Sequence, residues 1–282
     1  MTDAELERQY DNRGNVPEHP AIIAGWQTDA AAYRAEAEVR GEALLGIAYG
    51  PHERQKFDLF GPGARGEAGP ILFFIHGGYW RAMDRAMFSH LARGPNAQGV
   101  TVALPSYRLC PDASMQDILD DVRAAAKAVH GRFGRRFAAA GHSAGGHLAA
   151  CLVATDWKAI DPSLPSAIAP SGYGISGLYD LAPLVRLAMN ADWKLDAAEA
   201  ERLSPCLWSP PPGAVFDAVY GGDETAEYAR HSRTIAEAWA RRGAATRIEA
   251  LPGRNHFTAP GALADPASAM TLRMTELARG VA

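Results

Sequence analysis

Three side chains suited to acyl transfer fall in one order along the chain: a serine, an acid and a histidine. Ser143 lies in Gly141-His142-Ser143-Ala144-Gly145, a G-x-S-x-G turn between RFAAAG (136–141) and SAGGHLAACLVA (143–154). A serine at a sharp strand-to-helix turn needs neighbours without bulky side chains, and the turn lifts its hydroxyl out of the sheet. The helix that begins there aims free N–H groups and its positive dipole end at the same place. A hydroxyl is a weak nucleophile until a base takes its proton. Downstream of Ser143 stand His147, His231 and His256. The first two fall inside helix-like segments, whereas His256 follows the strand-like TRIEALPG in the loop PGRNHF and is the expected base. The acid should end the strand-like VFDAVYGG. In Gly221-Gly222-Asp223-Glu224 the expected acid is Asp223, brought round by two glycines. Glu224 is its rival, read instead as a first-turn helix residue favoured by the dipole. Asp217, in mid-strand, suits the role less well.

A tetrahedral intermediate carries an oxyanion that needs preorganised N–H donors. Ala144, after the nucleophile, would supply one. The others would come from ILFFIHGGYWR (71–81), where Gly77 and Gly78 let the backbone approach without a Cβ. Gly78 and Tyr79 are the expected donors, with Gly77 as the alternative. His76 is expected to brace this loop by hydrogen bonds rather than to transfer a proton.

Alternating elements must hold these residues. Helices are expected over 2–11 and about 20–39, the second with Ile22, Ile23, Trp26, Ala30 and Tyr33 near helical spacing. Strands are expected at 43–49, 54–60, 71–75, 100–105, 136–141, within 166–178, at 215–222 and at 246–253. Helices are expected at 114–133, 143–154, 225–243 and about 260–279. A turn-rich loop spans 61–70, and 180–213 is irregular with helical patches. The continuous apolar run ILFFI suits a strand covered on both faces. Strand and helix alternate from residue 71 onward, which implies an α/β fold with a mostly parallel sheet and helices on both faces. In such sheets ligands bind at the carboxyl ends of the strands. One domain over 1–282 is expected, with 1–40 as a helical extension and 180–213 as a short cap; the N-terminal helices are a second candidate for the cap.

The bulk numbers narrow the function. The 282 residues are 48% hydrophobic and 21% charged, an ordinary globular composition. A net charge of −4 gives no nucleic-acid footprint. The polar start MTDAELERQY lacks a signal-peptide pattern, and no apolar run would span a bilayer. Three cysteines without CxxC, and histidines without ligand spacing, imply a reduced, cytoplasmic and metal-free chain with no cofactor. The expected partner is a small molecule; a homodimer is neither indicated nor excluded.

HGGYW (76–80), SYRLCP (106–111), GHSAG (141–145), GISGLYDL (174–181), GGDE (221–224) and NHF (255–257) together resemble the α/β-hydrolase fold in its arylformamidase (kynurenine formamidase) branch, near the hormone-sensitive-lipase-like esterases. Those esterases usually carry a third glycine after HGG; Tyr79-Trp80 takes its place here, as in arylformamidases. The resemblance covers about residues 40–280. It implies Ser143, Asp223 and His256 as the triad, an HGG-loop donor, and hydrolysis of N-formyl-L-kynurenine to kynurenine and formate. A formyl group needs little room, and an aryl amine leaving group calls for an aromatic pocket. Tyr79 and Trp80, beside the expected oxyanion hole, would line it, unless they only pack the loop onto the sheet. Trp193, Leu195 and Trp208 are cap candidates by the same reasoning. Arg81 is either a solvated arginine or a contact for a substrate carboxylate. The alternatives are a short-chain carboxylesterase and, from another class, a non-catalytic binding protein, which would lack a triad member.

Overall fold

Residues Ile71–Ile75 form strand β3, with all five side chains buried. Alternate residues enter opposite layers: Phe73 and Ile75 join one apolar cluster, Leu72 and Phe74 the other. This two-sided burial is why the strand reads as an unbroken apolar run rather than an alternating one. The computed structural model describes residues 1–66 and 69–281. The expected loop at 61–70 includes Glu67 and Ala68, which lie outside the described residues.

Eight strands form one sheet in the order β1-β2-β4-β3-β5-β6-β7-β8. They are β1 (Ala43–Ala48), β2 (Lys56–Phe60), β3, β4 (Thr101–Pro105), β5 (Ala138–His142), β6 (Ser171–Ile175), β7 (Val215–Gly221) and β8 (Ala245–Leu251). β2 runs antiparallel to β1 and β4, and every other pairing is parallel. Six principal helices accompany the sheet: α1 (Asp3–Tyr10), α2 (His19–Val39), α3 (Met115–Phe133), α4 (Ala144–Val153), α5 (Ala226–Ala240) and α6 (Ala269–Val281). Val122 of α3, Leu148 of α4 and Ile235 of α5 pack with Phe73 on one face. Trp26 of α2 and Met274 of α6 pack with Phe74 on the other. α3 shows how sharply local sequence can set an element. Ser114 and Asp117 form a reciprocal capping box, and Gly134 ends the helix at φ 63°.

The crossovers place the ends of β3, β5, β6, β7 and β8 along one edge of the sheet. Residues 76–80, Ser143, Ser176, 222–224 and 252–256 therefore gather there, although they are far apart in sequence. Two further segments reach this edge. α1 docks on α5 through Tyr10, whose hydroxyl donates to Glu227 at 2.7 Å. Residues 180–213 form short helical turns, and Arg186 ties them to Asp3 of α1 at 2.6 Å.

The boundaries depart from the expectations in places. Between β3 and β4, for which no element was expected, a 3₁₀ turn (Arg85–Ala92) and a short helix (Arg93–Ala97) intervene. The 3₁₀ turn is capped by Asp84 and tied by Arg85 to buried Asp58, a long-range contact. The last helix begins at Ala269, after a separate 3₁₀ turn over Ala259–Ala264. The three cysteines are free and buried. Among the described residues no helix is long and apolar enough to cross a membrane, and no His/Cys/Asp/Glu group has the makings of a metal site.

Candidate active site

Ser143 holds φ 57° and ψ −119°, a left-handed backbone that a non-glycine residue rarely adopts. The surroundings enforce it. Its N–H donates to Ile175 O at 2.8 Å, and its carbonyl accepts from Gly146 and His147. A Cβ at Gly141 would lie 2.2 Å from Gly145 O, and one at Gly145 would lie 2.0 Å from Ile75 O. Both glycines are thus required by close backbone approach, which is the steric content of the G-x-S-x-G pattern.

His256 follows β8 and is almost fully buried. Its Nδ1 lies 2.6 Å from Oε1 of Glu224, not from Asp223. This corrects the expected acid. Asp223 is exposed, and its side chain has no hydrogen bond to the described residues. The physical reason lies in the turn after β7. Glu224 N–H donates to Gly221 O and Asp223 N–H to Arg254 O, so residue 223 faces solvent while residue 224 returns to the sheet edge. The longer glutamate side chain then reaches inward. Its other oxygen accepts from Ser176 Oγ at 2.6 Å and Gly221 N–H at 2.5 Å. With a side chain 1% exposed, Glu224 is held at three points. A carboxylate only accepts, so Nδ1 of His256 carries the proton and Nε2 is left as the acceptor. The Tyr228 ring packs 4.8 Å from the imidazole and fixes its plane.

Ser143 and His256 line one cavity of about 360 Å³ together with Gly78 and Tyr79. No hydrogen bond joins Ser143 to His256 among the described residues; such contacts commonly tighten only when substrate is bound. The loop after β3 is strained throughout, with φ 112° at Gly78, 51° at Tyr79 and 56° at Trp80. A Cβ at Gly78 would lie 2.3 Å from Ala82 O. One at Gly77 would lie 3.1 Å from Ser143 Cβ, so this residue presses against the serine turn. The N–H groups of Gly77, Gly78, Tyr79 and Ala144 have no acceptor among the described residues. His76 sends Nδ1–H to Gly77 O at 2.7 Å and stacks on Tyr107 at 4.4 Å. Burial pushes its pKa down to about 4, so the ring is neutral.

Other candidates lie elsewhere. Trp80 is fully buried, edge-on to His147 and Trp193, and does not line the cavity. The expectation that it would contact substrate is therefore corrected: its indole fills the core beneath the loop. Tyr79 does line the cavity, but its hydroxyl is committed to structure. It donates to Tyr10 O at 2.7 Å and receives Asn12 Nδ2 at 3.1 Å. His147 points away from Ser143, to Leu203 O at 2.8 Å. His231 is buried and accepts from the N–H of Tyr179. Asp217 pairs with Arg273 at 2.8 Å. Trp193 is buried and donates to Tyr79 O at 2.8 Å, Leu195 is buried, and Trp208 packs away from the cavity against Arg202 O. Arg81 borders the cavity with its charge met by Asp192 at 2.5 Å.

The apolar walls are Trp26, Met83 and Phe257, and the N-terminal segment adds Arg8, Tyr10, Asn12 and Arg13. None of these was singled out as a site residue from sequence. Trp26 was legible only as part of an amphipathic helix, and Asn12 carries no local signal at all.

The chain matches the model of a family described by its alpha/beta hydrolase fold over residues 72–257. It is 28% identical over 219 residues to a kynurenine formamidase from Salmo salar, covering 74% of this chain and 72% of that one. A solved structure from Silicibacter sp. tm1040, suggested to be a thioesterase, superposes with a TM-score of 0.86 at 33% identity, covering 96% of this chain and 99% of the other. A thermophilic carboxylesterase cloned from a metagenomic library superposes with a TM-score of 0.69 at 18% identity, covering 100% and 98%, a likeness of fold. The sheet order, the strained serine turn and the family match agree, and the chain belongs to the α/β-hydrolase family.

Proposed function

We propose that this protein is a metal-independent serine hydrolase of the arylformamidase kind, cleaving small acyl groups, formyl above all, from aryl amines. N-Formylkynurenine is the substrate this reading names. The observation that carries it is the buried Glu224–His256 pair, which faces the same cavity as strained Ser143 and the free N–H groups of Gly78 and Tyr79. The relationship to kynurenine formamidases supports the substrate class. The 1–282 chain acts as one domain in this reading, and its buried free thiols suit the cytoplasm.

The steps follow from the geometry. Ser143 Oγ attacks the carbonyl carbon while His256 Nε2 takes its proton, and Glu224 stabilises the imidazolium through Nδ1–H. The oxyanion takes N–H donors from the 77–79 loop and Ala144. The C–N bond breaks as His256 returns the proton to the departing amine. Water, activated by the same imidazole, then releases formate from the acyl-serine. Trp26, Met83 and Phe257 provide an apolar wall for the aryl group.

A short-chain carboxylesterase is the second reading, and burial of Trp80 favours it, because that indole does not narrow the acyl side of the cleft. One panel separates the two: formyl, acetyl and butyryl derivatives of one aryl amine and one phenol. Overpacking costs on the order of 1–3 kcal/mol, roughly ten- to hundred-fold in rate. A fall in kcat/KM from formyl to butyryl supports the arylformamidase; a rise toward acetyl or butyryl esters with formanilides untouched assigns the esterase.

A further inference from the structure

His142, the residue before the nucleophile, ends β5 with its side chain buried and lines the same cavity as Ser143. Its Nε2 lies 2.9 Å from the carbonyl oxygen of His256. A carbonyl only accepts, so Nε2 carries the proton and Nδ1 is left with a lone pair. That second nitrogen is buried and meets no donor among the described residues. A side chain that only filled this space would strand no acceptor of its own, and a stranded one is unfavourable. The imidazole is therefore explained by its other nitrogen.

The carbonyl of His256 depends on this contact. The loop after β8 closes its own hydrogen bonds on Asn255, whose carbonyl accepts from Thr258 and Ala259 and whose side chain accepts from Phe257. Among the described residues no backbone N–H donates to His256 O. In the sheet β6 and β7 separate β5 from β8. Among the described residues, the bond from His142 is the one hydrogen bond that joins the serine turn to residues 252–258. The two imidazoles also touch, with centroids 4.7 Å apart and planes tilted by 45°. On its other nitrogen His142 abuts the loop after β3, where a Cβ at Gly77 would lie 3.1 Å from Nδ1. Burial, and after it the neighbouring His256, push the pKa of His142 well below its ordinary value. The ring is thus neutral and adds no charge beside the imidazolium that His256 becomes during proton transfer.

We propose that His142 is a positioning residue, whose Nε2–H holds the main chain of His256 in register with the turn that carries Ser143. The proposal rests on the hydrolase reading and adds the group that ties its base to its nucleophile.

Met and Gln test it, because they match each other in length and only Gln can donate to His256 O. On the best substrate of the formyl, acetyl and butyryl panel, H142M should lose on the order of ten- to hundred-fold in kcat. KM should stay within about two-fold, because a displaced base slows the step in which it acts. H142Q should recover most of the loss. A proton spectrum of the unliganded protein gives a readout independent of turnover. The Nδ1–H of His256, bonded to Glu224, should give a low-field resonance in the wild type and H142Q that broadens in H142M. Equal kcat in H142M and H142Q, the same resonance in both, or a loss confined to KM overturns the proposal. Thermal midpoints show whether H142M is folded. If it is not, H142N takes its place as an amide too short to reach His256 O, and parity of H142N with H142Q overturns the proposal in the same way. A wild type that hydrolyses nothing in the panel loses the hydrolase reading, and the resonances alone then decide whether His142 holds His256.

Discussion

In the proposed mechanism Ser143, Glu224 and His256 divide the labour, so that each substitution has its own signature. Ser143→Ala removes the hydroxyl without touching the core, so the thermal midpoint should hold while kcat falls by about 10⁴–10⁶. Near-normal turnover in a folded variant would sink the nucleophile assignment. Glu224→Gln keeps the shape but puts an amide where His256 Nδ1–H needs an acceptor and Gly221 N–H and Ser176 already donate. If Gly221 N–H and Ser176 hold the amide oxygen, the NH₂ faces Nδ1 and forces the imidazole into the wrong tautomer, and kcat should fall by roughly 10³–10⁴. Asp223→Asn alters an exposed side chain and should leave kcat within about two-fold. Steady-state kinetics of the two variants side by side decides the matter, and the opposite ranking would return the role to Asp223.

At the scale of elements, the N-terminal segment and the loop after β3 are one device. Tyr79 hydroxyl spends its proton on Tyr10 O, so its lone pairs face the two groups that donate to it, Asn12 Nδ2 and Tyr228. Asn12 gives its second N–H to Tyr228, and each donor of this buried cluster has an acceptor. Burial raises the pKa of both tyrosines, so they stay protonated at any working pH. The cluster holds Tyr79 at its positive φ from one side, and Trp193 Nε1–H grips its carbonyl from the other. Asn12→Ala should cost about 1–3 kcal/mol in urea unfolding, the range for stranding buried partners. It should also lower kcat more than it raises KM, because a relaxed loop misplaces donors that act on the transition state. A variant destabilised to that extent with unchanged kcat would separate the cluster from the chemistry.

Across the whole molecule, five buried histidines besides His256 are held as neutral rings. Burial holds His76, His90 and His147 near pKa 4, and His142 and His231 well below the usual value. In the unfolded chain each would titrate near 6.5. Between those values the unfolded state binds more protons, so stability is fully present above about pH 6.5 and is lost as pH falls toward 4. Unfolding free energies from urea titrations at pH 7.5, 6 and 4.5 should therefore decline by on the order of a few kcal/mol in sum. Stability that is flat or rising over that range would contradict neutral burial of these rings.

What could be read before folding was whatever short-range sterics and periodicity dictate. β3, the capped helix α3 and the serine turn each carry their cause within a dozen residues: an apolar run, a Ser114–Asp117 box, and glycines where a Cβ would strike backbone. Elimination among three downstream histidines then points to His256, since the other two lie in helices. Adjacent residues at a strand end are a different problem. Asp223 and Glu224 share composition, neighbours and distance from Ser143, and what separates them is the direction of one turn. That direction depends on Arg254 from the loop after β8 and Ser176 from the end of β6, which meet there only when the sheet is assembled. The same holds for Trp80, drawn into a space between His147 and Trp193, and for Arg8, Asn12 and Arg13, which reach the cavity because α1 docks on α5. Local sequence determined the strand, the turn and the loop histidine proposed as base; contacts between segments far apart in the chain decided which carboxylate faces inward and which side chains wall the site, because side-chain direction there is set by partners that only the tertiary fold brings into reach.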